Sequence, residues 1–236
     1  MNTDFFVVDT IIALDHKLFA GGQYTNDQSV RCPNCGRFVR SESNSFVDIQ
    51  LNYIGKFGFT EYLWNSHTLP LFRKDLVELW QESNLSGFKI KPVQITGWYK
   101  KPKKLLPSEI PEYFELIPIN YVKLITPEPL QPPCPLCGFV PYAFPKIGNQ
   151  LLNSIQIDKK SWEGSDFFSV NGYNFLFCTR NVVEVTLMAG YSKAIAFVNV
   201  LDWWRWEDFD IHKWSPKSYQ AYLEKFLIRK VEDLHR

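Results

Sequence analysis

Four of the chain's 5 cysteines fall in two pairs of one design, Cys32-Pro33-Asn34-Cys35-Gly36 and Cys134-Pro135-Leu136-Cys137-Gly138. In each C-P-x-C-G turn two sulfurs sit three positions apart, and a glycine follows where the chain must curl back beneath them. Backbone N–H groups in such a turn point at the sulfurs, and glycine permits the positive φ or close approach this needs. Two turns supply the four thiolates of a tetrahedral structural zinc site, so Cys32, Cys35, Cys134 and Cys137 are the expected ligands of one Zn²⁺ per chain. A closed four-sulfur shell leaves no open position for water or substrate, which makes the ion structural rather than catalytic. The 98 residues between the pairs (36–133) far exceed the roughly 15–20 of a compact zinc ribbon. The metal is therefore expected to bridge remote parts of the chain. A redox disulfide and an unligated buried thiol are the competing readings of any C-x-x-C pair. The matching Pro and Gly in both copies favour the metal.

Other chemistry is sparse. The chain has no phosphate loop, no G-x-G-x-x-G, no G-x-S-x-G elbow and no H-E-x-x-H. Ser86-Gly87-Phe88-Lys89 matches S-x-x-K but lacks the companion motifs, and its glycine is already accounted for as a helix stop. The 4 His (16, 67, 212 and 235) are scattered and read as surface or capping residues. Cys178 closes a run of large apolar residues and reads as an inert buried thiol. One region stands apart: Trp203, Trp204, Trp206, Glu207, Asp208, Asp210 and Trp214 crowd tryptophan against carboxylates. Such a patch would anchor a basic protein partner. The weightier reading is that these tryptophans fill the core where the last helix docks, and a third is a metal held by Asp208, Asp210 and His212.

Positioning these groups falls to an ordinary-sized α+β domain. The 236 residues suffice for a sizeable core, and 16% aromatic content (8 Trp, 11 Tyr, 19 Phe) is high. With 26 basic against 25 acidic residues no overall field favours nucleic acid or an anionic membrane. No basic-then-apolar leader pattern and no bilayer-length apolar run is seen, and the thiol usage suits a reducing compartment; the expected location is the cytoplasm.

Along the chain, residues 4–8 read as a strand and Ala20-Gly21-Gly22 as a break. Residues 46–49 are extended, Gly55 and Gly58 mark turns, and Glu61–Trp64 is strand-like. Thr68 as N-cap and Pro70 in the first turn predict a helix carrying Phe72, Leu76, Leu79 and Trp80, closed by Gly87. Residues 88–95 alternate as a strand. Residues 100–111, with Lys100, Lys101, Lys103 and Lys104, form a basic proline-punctuated connector, with an anion-binding patch as the lesser reading. Two β-prone runs between Tyr113 and Ile125 flank Pro118. After the second cysteine turn the pattern repeats: strand 174–178, Thr179 as N-cap, helix to Ala189, Gly190, strand 194–200. The expected architecture is one domain over 1–236 with an internal duplication. A first lobe spans 30–126 and a second spans 127–236. Each is a strand-helix-strand unit with parallel pairing, the two are joined by the split zinc site, and a docking helix from Ser215-Pro216 to Leu234 ends the chain.

The two cysteine turns, their roughly hundred-residue separation and the run 165–197 (Ser165-Asp166-Phe167-Phe168, Phe175-Leu176-Phe177-Cys178, Gly190, Ala196-Phe197) together resemble the double-CxxCG motif family of bacterial proteins, known from myxobacterial paralogues. The resemblance implies an intracellular, non-catalytic immunity protein that binds and neutralises a cognate polymorphic toxin. Of its residues only the ligands Cys32, Cys35, Cys134 and Cys137 carry over. The alternative is a zinc-knuckle nucleic-acid-binding module, for which only the Lys100–Lys104 loop speaks.

Overall fold

In the computed structural model of the chain, the residues described are 4–10, 19–24, 29–36, 38–40, 47–65, 71–101, 104–125, 134–136, 156–170, 175–203 and 225–235. In chain order the strands are β1 (Phe5–Thr10), β2 (Gly21–Tyr24), β3 (Ser29–Arg31), β4 (Phe38–Arg40), β5 (Val47–Tyr53), β6 (Trp64–Asn65) and β7 (Leu71–Arg73). Helix α1 (Lys74–Glu82) follows, then β8 (Phe88–Trp98), β9 (Tyr113–Pro118), β10 (Tyr121–Val122), β11 (Leu124–Ile125), β12 (Gln156–Ile157), β13 (Phe167–Val170) and β14 (Leu176–Thr179). Helix α2 (Arg180–Met188), β15 (Ile195–Asn199) and the short α3 (Val200–Trp203) complete the set. The class is mixed α+β. A six-stranded sheet runs β6-β2-β5-β8-β9-β7, a five-stranded sheet runs β10-β13-β14-β1-β15, and two-stranded ribbons join β3 to β4 and β11 to β12.

Each helix lies between two strands, although the strand leading into α1 is β7 rather than the expected Glu61–Trp64, and the flanking strands do not pair with each other. β7 and β8 both run antiparallel to β9, which lies between them. β14 and β15 both run antiparallel to β1, which lies between them. Each unit is thus a split β-α-β, and the expected adjacent parallel pairing is replaced by an inserted third strand. The reason is apolar alternation. Phe6 and Val8 of β1 face one cluster while Phe5 and Val7 face another, so β1 needs covering on both faces and takes a central place. In the first sheet the inserted strand follows the unit along the chain; in the second it comes from the N-terminal end.

The helices join the two sheets. Leu76, Val77 and Trp80 of α1 and Val182, Val183 and Leu187 of α2 share one apolar cluster with Phe72 and Leu116 of the first sheet and Phe6, Phe167, Cys178 and Phe197 of the second. Within it the Trp80 indole N–H donates to Thr186 Oγ1 at 2.8 Å, and that hydroxyl donates to the Val182 carbonyl at 2.7 Å, so neither polar group is buried unpaired. Polar ties reinforce the junction. Buried Glu61 accepts from the backbone N–H of Ala194 (2.7 Å), and Asp166 accepts from the N–H and hydroxyl of Ser86 (2.9 and 3.0 Å) and from the Thr179 hydroxyl (3.0 Å).

Several local expectations shift. Gly21 and Gly22 do not break the chain; they start β2, and Ile49 of the neighbouring β5 packs where a Gly22 side chain would stand. Helix α1 starts at Lys74 rather than near Thr68, because Leu71–Arg73 is drawn into pairing with β9. Thr68 and Pro70 lie outside the described residues. Gly87 is not the helix stop. The helix ends at Glu82, Asn84 takes the left-handed turn (φ 57°), and Gly87 (φ 92°) lets the Phe167 carbonyl approach where a Cβ would collide. At the chain's end, Ile228 bonds to Phe197 of β15 in both directions (2.7 and 3.1 Å) and Val231–His235 is a 3₁₀ turn. The expected helix therefore does not run unbroken to Leu234, since pairing with a sheet edge demands extended backbone; residues 204–224 lie outside the described set. Leu227, Ile228 and Leu234 are nonetheless buried on the chain's own core. No helix among the described residues is long and apolar enough to cross a membrane.

Candidate metal centre

The first cysteine turn is the tip of a hairpin. β3 and β4 pair from Ser29–Arg40 to Arg31–Phe38, which leaves the C-P-x-C-G segment as the loop between them. Inside it the Gly36 N–H donates to the Cys32 carbonyl at 2.8 Å, and Gly36 sits at φ 70°. A Cβ there would meet nothing within 4 Å, so the glycine is required by backbone conformation and not by crowding. The Cys35 backbone N–H pulls the Cys32 thiol below its ordinary pKa against the opposing effect of burial, and the Asn34 N–H adds to that pull. These amides favour the thiolate, which is the form that binds metal.

Cys134 comes from the other end of the chain. Its Sγ stands 3.7 Å from Cys32 Sγ, and the ligand atoms of Cys32, Cys35 and Cys134 all lie within 4.8 Å of one another. A tetrahedral ion with metal–sulfur bonds of about 2.3 Å separates its sulfurs by roughly 3.8 Å, and a disulfide needs about 2.05 Å. The Cys32–Cys134 spacing fits two sulfurs sharing one ion and not a disulfide, and none of the three cysteines is disulfide-bonded. Cys32 and Cys134 are buried, whereas Cys35 is exposed, so the centre lies at the surface. Asn34 closes it from one side, its Nδ2 donating to Cys134 Sγ at 3.3 Å. Among the described residues these cysteines are the one group of His, Cys, Asp or Glu close enough to hold an ion. Cys137 lies outside the described residues.

No family model matches the chain, and no curated protein matches it in sequence.

The remaining candidates separate by location. Trp203 ends α3, and nothing is described of its side chain; Trp204, Trp206, Glu207, Asp208, Asp210, His212 and Trp214 lie outside the described residues. Ser86 is engaged on both sides with Asp166, donating its hydroxyl to Oδ2 and accepting from the backbone N–H at 3.2 Å, which makes it a structural link. Cys178 is fully buried, and burial pushes its thiol well above the ordinary range, with the nearby Asp166 charge adding to the shift. It is inert at neutral pH. In the basic connector Lys104 Nζ sits 3.8 Å from the Trp98 ring centroid and the Trp98 N–H donates to the Leu105 carbonyl at 3.0 Å. Lys101 and Lys104 border a cleft of about 380 Å³ beside Asn52 and Trp98. Sequence reasoning missed Asn34. The signal was available: it is the single position at which the two turns differ, and a polar donor stands there beside sulfurs.

Proposed function

We propose that the chain is a metal-clamped binding protein that neutralises a cognate bacterial toxin in the cytoplasm without catalysing a reaction. The observation that carries this reading is the meeting of Cys32 and Cys35 with Cys134, 102 positions away from Cys32, in the order and spacing of the double-CxxCG proteins it resembles. Zinc is the proposed ion and Cys137 the proposed fourth ligand. An all-sulfur donor set suits Zn²⁺ and other thiolate-preferring ions and disfavours Mg²⁺ or Ca²⁺, which take oxygen. When bound, the ion supplies cross-linking. It holds the hairpin tip of residues 32–36 against the segment beginning at Cys134, so that the binding surface is rigid before a partner arrives and less ordering is required on association.

Neutralisation then works by covering the toxin. The Trp- and carboxylate-rich segment 203–214 is the proposed contact patch, and its acidic groups select a basic toxin surface. Co-expression with a toxic protein encoded by a neighbouring gene tests the reading directly. Survival and a co-purifying complex are expected. Cell death with no complex would overturn it.

A second reading, a nucleic-acid-binding module, draws on Lys101 and Lys104 beside Trp98, where a basic group and an aromatic surface adjoin the same cleft. It requires a salt-dependent gel shift that weakens when both lysines are replaced by alanine.

A further inference from the structure

We infer that Asn34 is a positioning residue of the metal centre, its side-chain amide holding the Cys134 sulfur of the opposite turn in place for the ion. The inference rests on the metal-site reading above and assigns a role to a residue that is not a ligand. The two turns are C-P-N-C-G and C-P-L-C-G, alike except at the middle position. In the first, Asn34 reaches across 100 positions of sequence to donate to Cys134 Sγ at 3.3 Å. In the second, Leu136 is 66% exposed and has no side-chain polar atom to offer. The contact runs from the hairpin tip onto the second turn.

The chemistry of the contact explains its value. A thiolate has no proton to give, so only the NH₂ end of the carboxamide can face it, which sets the orientation of the amide. Three thiolates already outweigh the two positive charges of a divalent ion, and the centre carries excess negative charge. N–H donors directed at sulfur spread that charge and hold each sulfur at its ligating position. Cys32 receives backbone donors from its own turn. Asn34 extends the same service to the other turn, which makes it the link through which one turn orders its partner. Outer-shell partners of this kind typically change metal affinity by about 10- to 100-fold.

The test uses the full chain and competition with a chromophoric zinc chelator. Asn34→Leu, which makes the two turns identical in sequence, is expected to weaken zinc binding by roughly ten- to a hundredfold. Asn34→Asp keeps the shape but turns an acceptor onto the sulfur, and is expected to weaken it further. Leu136→Asn is expected to leave affinity unchanged within about twofold, since that position faces solvent. Wild-type affinity in Asn34→Leu would overturn the inference alone. A wild-type chain that binds no metal would overturn both it and the metal-site reading, so the two failures are distinguishable. Should Asn34→Leu not fold, the wild-type chain loaded with NMR-active cadmium decides. Scalar coupling between the Asn34 side-chain amide proton and the metal through Cys134 is expected, and its absence would refute the contact.

Discussion

At the scale of single residues the site depends on groups that are not ligands. Gly36 holds a left-handed conformation with open space around it, so Gly36→Ala should fit sterically and still cost about 1 kcal/mol through backbone strain. Thermal melting of the metal-loaded chain checks this, and an unchanged melting temperature would mean that the turn relaxes freely. A second residue-scale prediction concerns Asp75. Arg73 binds its carboxylate through two 2.7 Å bonds and holds its pKa below the ordinary value, helped by the Tyr191 hydroxyl and by the Leu76 N–H. A folded-state pKa that is depressed adds stability that is complete above the ordinary carboxylate range and is lost as pH falls through the folded value. Asp75→Asn should therefore lower stability at neutral pH and reduce its decline on acidification. Parallel pH–stability curves for the variant and the wild type would contradict the pairing. The gain is small, because the carboxylate is half-exposed.

At the scale of elements, the helices are where the two sheets are joined. Thr186→Val keeps the shape of the side chain but leaves the buried Trp80 N–H without its acceptor, so a loss of roughly 1–3 kcal/mol in denaturant unfolding is expected. A neutral result would mean that Trp80 finds another partner. Much at this scale was legible in the sequence. The helical spacing of Leu76, Leu79 and Trp80, the alternation over residues 88–95, Thr179 before α2 and Gly190 after it all mark real boundaries or faces. The sequence did not disclose which strands lie side by side. β1 enters between β14 and β15 from more than 160 positions away, and β9 between β7 and β8, because pairing is decided by which apolar faces need covering and not by local period. The same limit explains Leu71–Arg73, inside the expected first helix yet a strand by pairing, and Ile228, inside the expected terminal helix yet bridged to Phe197. In the candidate site the approach of Cys32 and Cys35 to the distant Cys134 was legible. The reach of Asn34 was marked only by a polar amide at the one position where the two turns differ; its partner was not legible, since a hydrogen bond across 100 positions leaves no local periodicity.

For the whole molecule, the cysteine centre joins a hairpin tip to a segment beginning at Cys134, and a metal there would restrain the long stretch of chain between. In small zinc peptides metal binding supplies on the order of 10 kcal/mol of folding free energy; the large apolar clusters here would hold much of the fold without it. Chelation is therefore expected to lower the melting temperature without abolishing cooperative unfolding, as read by scanning calorimetry. An identical melt with and without chelator would show that the ion carries no structural load. Cys178→Ala should leave metal content untouched, because that thiol is buried in the helical cluster. The most direct test of the central claim is elemental analysis of the purified chain beside Cys32→Ser and Cys134→Ser. One equivalent of zinc in the wild type, lost in both variants, is predicted. A Cys134→Ser chain that keeps a full equivalent, or a wild type that carries none, would contradict the claim that sulfurs from the two turns share one ion.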